Sequence, residues 1–542
     1  MSGVIEQLFK TRGIYEKDKR QAFLAPDFED FKHDPFLLPD MQKAVERLQQ
    51  AKQKNELIFI YGDYDIDGLT ATSLLLDAFK SFGLRCEAFI PNRFVDGYGL
   101  SKGAIKEIAA KGANLIVTVD CGSLSHKEID LANGLGMDVI VTDHHSVADV
   151  MPNAIATINP KRNDHNYPFI DLAGVGVAFK LVQAMQQKME GLAEGQEKWL
   201  LDLVALGTVC DVVQLVDENR ANVLWGLKVL QKTRRPGLRS IAQVTGLEMS
   251  KLNSRSLGFV IGPHLNAAGR LETAQHSLDL ITADDAMKGL EIAYKLREMN
   301  IARRAEQDRI FAEAKIQAEQ FANDPVLVLS GAGWSHGIIG IVAAKILEHY
   351  QKPTFVLEEM GEESKGSARS FGDFSAVEAI RNADQWLIKG GGHKLAAGIT
   401  LKTDKIHNFR KSLNEFYRSK GIQDQLRHLE PKIDAIIDNV TELDFELSNV
   451  IKSLEPFGHG NPEPLFKLTD VIVQNRRHLG KDQNHLKLTV CDKKGNTWDL
   501  IGFGMVSKYD NDVGETIDVI FKIVENEWRG TVKLEGQLIK LM

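Results

Sequence analysis

Leu57-Ile58-Phe59-Ile60-Tyr61-Gly62-Asp63-Tyr64-Asp65-Ile66-Asp67-Gly68 runs a short apolar stretch straight into alternating aspartates between two glycines. An unbroken apolar run of this length reads as a strand buried on both faces, the habit of parallel sheets covered by helices. The rhythm recurs downstream in Cys86 to Ile90, Leu115-Ile116-Val117-Thr118-Val119, Val139-Ile140-Val141-Thr142 and Ala154 to Ile158, with helix-length segments between. That alternation predicts an α/β domain built on a parallel sheet.

Acidic residues fall where these runs end. Asp120-Cys121-Gly122 follows the third run, Asp143-His144-His145 the fourth, and Asp211 sits in Gly207-Thr208-Val209-Cys210-Asp211. Groups just past the carboxyl ends of parallel strands converge on one crevice. A single Asp after a strand is ordinarily a helix cap or turn residue, but four clusters after successive apolar segments exceed what capping needs. Carboxylates meeting there would raise one another's pKa unless a cation neutralised them. Oxygen ligands with one or two imidazoles suit Mn²⁺ or Mg²⁺, and several carboxylates are what a two-metal phosphoryl-transfer site requires, its ions ~3.5–4 Å apart. A calcium loop starting at Asp63 is excluded, because its twelfth position is Leu74.

Outward from this core the chain changes character several times. Residues 1–50 are polar and mixed, broken by Pro26, Pro35 and Pro39, and read as a lead-in segment. Residues 290–322 hold no Gly or Pro and predict one long helix of about 50 Å, stopped by Asn323-Asp324-Pro325. A second α/β pattern follows through Val326-Leu327-Val328-Leu329 and Thr354-Phe355-Val356-Leu357. After about residue 430, alternating stretches such as Leu486-Lys487-Leu488-Thr489-Val490 predict an antiparallel barrel or sandwich. A length of 542 residues accommodates these parts, at roughly 100–200 residues per domain.

Composition narrows the class. Apolar runs end well short of the ~20 residues a membrane span needs. The start, Met1-Ser2-Gly3-Val4-Ile5-Glu6-Gln7, lacks the basic and apolar regions of a signal peptide. Cys86, Cys121, Cys210 and Cys491 form no C-x-x-C pair, so neither a disulfide framework nor a zinc knuckle is expected. A cytoplasmic protein is the expectation. The net charge of −8 argues against a general polyanion coat but leaves room for a local basic groove.

Asp63-Tyr64-Asp65-Ile66-Asp67-Gly68, Asp120, Asp143-His144-His145 and Asp211, in that order, resemble the four motifs of the DHH phosphoesterase superfamily. Gly262-Pro263-His264-Leu265-Asn266-Ala267-Ala268-Gly269-Arg270-Leu271 and Gly390-Gly391-Gly392-His393 resemble its RecJ branch, single-strand-specific 5′→3′ DNA exonucleases of repair and recombination. The resemblance implies a lead-in segment over 1–50, a DHH catalytic domain over 51–282, a connecting helix over 283–323, a DHHA1-type substrate-binding domain over 324–430 and an oligonucleotide-binding (OB) fold over 431–542. It implies two Mn²⁺ or Mg²⁺ ions held by Asp65, Asp67, Asp120, His144 and Asp211. Asp63 and His145 then stand beside the ligands as catalytic groups, and His393 binds or orients the scissile phosphate. Some relatives carry histidine where this chain has Tyr61, which would remove one ligand.

Further residues face the substrate under the same reading. Arg93 lies past the second strand, Arg270 follows a Gly-bearing turn, and Ser367 and Arg369 lie in the second α/β domain. Guanidinium forks suit phosphate oxygens, and the resemblance has these residues grip a 5′-terminal phosphate, with Asn266 on the same stretch as Arg270. His264 stands where relatives commonly have Arg. His336, in Trp334-Ser335-His336-Gly337, precedes a helix whose free N–H groups suit an anion. In the OB fold, Arg476, Arg477, His478, Lys481, His485 and Lys487 form a basic cluster, and Phe457 and His459 are candidate contacts. The implied partners are single-stranded DNA, a single-strand-binding protein and a DNA helicase, with no membrane. Selectivity is expected to be steric, from a cleft too narrow for a duplex. Competing readings are a DHH phosphodiesterase for short oligoribonucleotides or cyclic dinucleotides, and a non-catalytic single-strand-binding scaffold.

Overall fold

The computed structural model describes residues 3–422, 428–509, 512–528 and 530–542. Two compact units result: residues 34–211 with 226–430, and residues 1–33 with 212–225 and 431–542.

The larger unit opens with strands β1 (Leu57–Tyr61), β2 (Arg85–Phe89), β3 (Leu115–Val119), β4 (Asp138–Thr142) and β5 (Ala156–Ile158). They pair in parallel in the order β2-β1-β3-β4-β5. Every residue of β1 and β3 is buried, as helices on both faces require. The register sets Tyr61 beside Thr118 and Val119 beside Thr142. The loops carrying Asp63, Asp120 and Asp143 therefore leave the sheet at one level.

The helix Ala286–Gln320 is 35 residues long, or about 50 Å, and starts at Asp285, whose side chain accepts from Lys288 N. Its second half lends Ile310, Ala314 and Ala318 to a core shared with Leu327, Trp334 and Val342. The sheet beyond it holds β6 (Leu327–Ala332), β7 (Thr354–Met360), β8 (Glu363–Arg369), β9 (Leu387–Gly392) and β10 (Ala396–Lys402), ordered β6-β7-β8-β10-β9. Only β6 and β7 are parallel.

The smaller unit is a barrel of β11 (Ala435–Ile437), β12 (Phe466–Leu479), β13 (His485–Cys491), β14 (Thr497–Gly502), β15 (Thr516–Trp528) and β16 (Thr531–Leu541). The order is β11-β12-β13-β14-β16-β15, closed by β12 on β15. The β11–β12 and β14–β16 pairs are parallel, so the barrel is mixed where antiparallel was expected.

The lead-in expectation for 1–50 needs correction. Val4, Ile5, Leu8 and Phe9, one stripe of the helix Gly3–Thr11, are buried in the barrel core. Arg12 pins that helix through Asp434 (2.9 Å) and Asn461 (2.7 Å). Arg220, from the 212–225 segment, donates to the carbonyls of Phe23, Leu454 and Glu455. Residues 41–54 instead form a helix of the larger unit, burying Met41, Val45 and Leu48. Among the described residues no helix is long and apolar enough to cross a membrane.

Candidate metal centre and phosphate-binding rim

The first loop is shaped by close packing. Asp65 caps the helix Ile66–Ser81, accepting from Gly68 N at 3.1 Å. A side chain at Gly68 would strike the Asp63 backbone at 2.6 Å, so glycine lets Asp63 and Asp65 fold back over the helix start. Asp67, in the first turn, is fully buried.

Asp120 follows β3 with φ 61, and its N–H donates to Thr142 O. Asp211 caps the C-terminus of the helix Leu201–Cys210, and Val212 after it has φ 62. Left-handed backbone costs a non-glycine residue roughly 1–2 kcal/mol, and such strain gathers at functional positions. A carboxylate at a helix C-terminus also opposes the helix dipole, another cost that a cation would offset.

Asp143 plays a different part. It accepts from the N–H of Ser123 (2.9 Å), His144 (2.7 Å) and His145 (3.0 Å), and its Oδ1 lies 2.9 Å from His145 Nδ1. Burial alone would raise its pKa, but these donors and the His145 charge hold it well below the usual carboxylate range. An ionised carboxylate only accepts, so His145 carries its proton on Nδ1 and leaves Nε2 for other work. Burial opposes charge on His145, yet Asp143, Asp65 and Asp63 raise its pKa. Asn159 completes the turn, donating to Ser123 Oγ and His145 O.

The groups meet in one place. His144 Nε2 lies 3.1 Å from Asp120 Oδ1, 3.6 Å from Asp211 Oδ2 and 3.8 Å from Asp67 Oδ2. Three sets each offer ligand atoms within 4.8 Å of one another: Asp63, Asp65 and Asp120; Asp67, His144 and Asp211; and Asp120, His144 and His145. Asp120 and His144 are each shared between two sets, the arrangement neighbouring cations need.

The electrostatics of the cluster favour a bound cation. Burial, then the neighbouring carboxylates, push Asp63 up to about 8, Asp67 to about 7 and Asp211 to about 9, and Asp120 well above its ordinary value. Burial and His145 push His144 down to about 3, keeping it neutral. Asp63 Oδ1, Asp120 Oδ1 and His144 Nε2 are buried with no hydrogen-bond partner, a costly state that ligation of a divalent cation relieves. The donor set, carboxylates with a neutral imidazole, fits Mn²⁺ or Mg²⁺. Asp63, expected beside the ligands, has the position of a ligand. Tyr61 offers none: its buried hydroxyl donates to Gly99 O, and its ring stacks on Phe89.

A cationic rim adjoins. Arg93 lies over the Tyr64 ring with Nε buried and unpartnered. Arg270 donates to Gly337 O at 2.9 Å, and Arg369 touches Ser367 Oγ at 3.2 Å. Burial, then Arg93, Arg303 and Arg369, lower Arg270 to about 9. Guanidiniums crowded in this way have the chemistry to take an anion. His336 is held by Glu358 at Nδ1 (2.8 Å), meets Phe94 edge-on, and keeps Nε2 buried and unpartnered. A β-carbon on Gly340 would fall 3.0 Å from Ser367 Oγ and 3.2 Å from Arg369 Nη2, so glycine brings the helix Ile339–Tyr350 close to this rim.

Other expectations fare differently. Gly262–Leu271 is a helix, not a Gly-bearing turn before Arg270, because Gly269 packs against Ala274 and Tyr64 O inside it. Asn266 lies one turn before Arg270 on that helix. His264 sets Nδ1 2.7 Å from Val260 O, and burial with Arg304, Arg303 and Arg297 lowers its pKa. His393 occupies the exposed turn joining edge strand β9 to β10, and its N–H donates to Ala396 O. Its side chain makes no hydrogen bond or ion pair among the described residues, so the structure does not join it to the acidic cluster. Gly392 (φ 143) is required there, since a side chain would meet the Ala397 backbone at 2.5 Å.

On the barrel, Arg477 pairs across strands with Lys487, and His478 and Lys481 are exposed. Lys487 is committed to Glu535, and Arg476 donates to Tyr509 O. Phe457 packs on the barrel core and is no open stacking platform, whereas His459 is exposed, its backbone carbonyl accepting from Leu215 N. Phe503, which sequence reasoning missed, is 56% exposed with its ring against His485. Asn159 and Tyr98, whose ring meets His145 edge-on, were missed too. Alternation could have flagged neither.

Comparison with known proteins agrees along the whole chain. The DHH family N-terminal domain matches residues 57–208, the DHHA1 domain residues 323–419 and the RecJ OB domain residues 433–540. The single-stranded-DNA-specific exonuclease RecJ of Bacillus subtilis is 34% identical over 98% of this chain, which spans 66% of that protein. The Escherichia coli RecJ is also 34% identical, over 92% of this chain and 89% of its own length. The crystal structure of Thermus thermophilus RecJ with Mn²⁺ superposes with a TM-score of 0.86 at 29% identity, covering 99% of this chain and 76% of that one. A RecJ structure bound to manganese gives 0.63 at 32% identity, covering 72% and 97%. With 34% identity to RecJ relatives holding over 92% and 98% of its length, the chain belongs to the RecJ family of DHH-domain proteins.

Proposed function

We propose that this chain is a divalent-metal-dependent exonuclease that shortens single-stranded DNA from the 5′ end and releases 5′-mononucleotides. The observation that carries this reading is the convergence of Asp63, Asp65, Asp67, Asp120, His144 and Asp211, with orphaned ligand atoms aimed at one another. The relatives' activity on single-stranded DNA supports the substrate class.

These residues would hold two Mn²⁺ or Mg²⁺ ions, which would supply neutralisation of phosphoryl charge and acidify a water for attack. The chain's own groups do the rest. Asp143 fixes the His145 tautomer, so that Nε2 faces the reacting phosphate. Arg93, Arg270, Ser367 and Arg369, with His336 beside them, bind the 5′-terminal phosphate and so set polarity. His393 acts on the scissile phosphate from its hairpin turn, and Asn266 supports the strand near Arg270. Phe94 against His336 and Arg270 against Gly337 join the two α/β layers beside the rim, and a cleft there too narrow for a duplex makes the selectivity for single strands steric. On the barrel, Phe503, His485, Arg477 and Lys481 hold the single strand by stacking and charge. The setting is cytoplasmic DNA repair and recombination, where a helicase and a single-strand-binding protein present the substrate.

Product analysis on 5′- and 3′-labelled single strands, with Mn²⁺ and with chelator, tests the reading. Immediate Mn²⁺-dependent release of the 5′ label as a mononucleotide is expected, while the 3′-labelled strand shortens gradually. Intact DNA alongside cleaved oligoribonucleotides or cyclic dinucleotides overturns it.

Arg369→Ala tests end recognition. Loss of a charge-assisted hydrogen bond, ~1.5–3 kcal/mol, raises KM by roughly tenfold or more on 5′-phosphorylated strands. The preference over 5′-hydroxyl strands is lost with it, and kcat is largely kept. Steady-state kinetics on both substrates decide, and equal losses on both remove Arg369 from the phosphate site.

A further inference from the structure

The helix Gly174–Lys188 begins against the acidic cluster, at residues outside every motif singled out above. Gly174 N donates to Asp67 Oδ2 at 2.6 Å, and Val175 N to Asp67 Oδ1 at 2.8 Å. A helix leaves its first N–H groups without internal partners, and here two of them orient both oxygens of a buried carboxylate. Each oxygen keeps a further lone pair for a cation.

The same glycine also borders Asp120. A β-carbon on Gly174 would lie 2.7 Å from Asp120 Oδ1, 2.8 Å from its Cβ and 2.9 Å from its Cγ. Asp120 has little freedom to retreat, since its backbone is left-handed and its N–H is bonded to Thr142 O. Gly174 itself is absent from the positive-φ residues, so space is the reason for glycine here. Two residues on, the nearest atoms to a β-carbon at Gly176 would be those of Leu172, at 3.4 Å or more.

We infer that Gly174 is a positioning residue of the metal centre. Its N–H fixes Asp67, and its missing side chain leaves room for Asp120. One backbone position thereby sets the spacing between carboxylates that arrive from two different strand ends. The inference rests on the metal-dependent reading above.

Full-length Gly174→Ala and Gly176→Ala are compared with the natural chain by Mn²⁺ titration, following free Mn²⁺ by electron paramagnetic resonance, and by melting with and without Mn²⁺. Disturbing a group that orients metal ligands weakens binding by about 10–100-fold, so Gly174→Ala is expected to lose Mn²⁺ affinity on that scale. Gly176→Ala should bind like the natural chain. Equal binding by Gly174→Ala overturns the inference. If Gly174→Ala does not fold, the pair Asp120→Gly with Gly174→Ala decides: glycine accepts the left-handed backbone at 120 and removes the clash. That double variant must fold, and its failure overturns the inference. A natural chain that binds no Mn²⁺ overturns the metal-dependent reading instead, while the folding comparison still judges the Gly174–Asp120 fit.

Discussion

Asp120→Asn is expected to lower kcat by at least about three orders of magnitude, some 4 kcal/mol of transition-state stabilisation, while single-strand binding persists and the metal-free protein melts at a higher temperature. The two effects share one cause. Asp120 Oδ1 is buried without a partner, 3.1 Å from His144 Nε2, and belongs to two of the three candidate ligand sets. Its pKa stands well above the ordinary value because of burial, then Asp67, Asp65, Asp63 and Asp211. Asparagine keeps the shape and, like aspartate, tolerates the left-handed backbone, so what changes is the charge. The empty site then no longer bears the cost of either charging that carboxyl among its neighbours or keeping it protonated, which stabilises it. The site then also holds a cation poorly. Sites built for chemistry commonly trade stability for activity in this way. Mn²⁺-dependent kinetics, binding of a labelled strand in chelator, and melting without metal check the three parts. Retention of more than about a tenth of the activity, a loss under 1.4 kcal/mol, would remove Asp120 from the metal centre.

How much of this was legible in sequence depended on whether a function is carried by side-chain type or by backbone. The strand-end carboxylates were legible because apolar runs fix where strands stop, and parallel topology sends those ends to one edge. The short helix Gly3–Thr11 shows its apolar stripe plainly, but nothing local says that the stripe belongs to a barrel more than 400 residues away, near Asp434. Gly269 before Arg270 suggested a turn, yet close packing against Ala274 makes glycine suit a helix there. Phe457 looked like a stacking residue because aromatic type alone cannot tell a core contact from an open face. Gly174 and Val175 act through N–H groups that every non-proline residue has, so no residue type marks them. Asp63 was read as standing beside the ligands, and only the fold-back over Gly68 shows its carboxylate level with Asp65 and Asp120.

Metal-free protein is expected to lose stability as pH rises through 7 to 9, and added Mn²⁺ to reverse that trend. Asp63, Asp67 and Asp211 have folded-state pKa values raised to about 8, 7 and 9 by burial and mutual repulsion, whereas an unfolded carboxylate titrates near ~4. Between those limits the folded state binds more protons than the unfolded state, so unfolding free energy falls with pH. The slope is about 1.4 kcal/mol per pH unit for each proton of difference, and coupling among the carboxylates keeps the total below a simple sum. His144 contributes with the opposite sign. Its pKa is depressed to about 3, so its share of stability is lost as pH falls below ~6.5, where the unfolded imidazole protonates. The empty protein is therefore expected to lose stability from above pH ~4, partly offset by His144 below ~6.5, until the three carboxyls have ionised near the upper end of their folded range. A cation binds only the deprotonated carboxylates, so binding releases protons and tightens with pH. The Mn²⁺-induced rise in melting temperature should accordingly grow from about pH 7 to about pH 9, the range spanned by these shifts. Melting curves across that range with and without Mn²⁺, paired with proton release on Mn²⁺ addition, measure both sides. A metal-free stability that is flat through this range, with no proton release, would show that the carboxylates are already ionised in the empty site, and the electrostatic account of why this site needs a cation would fall.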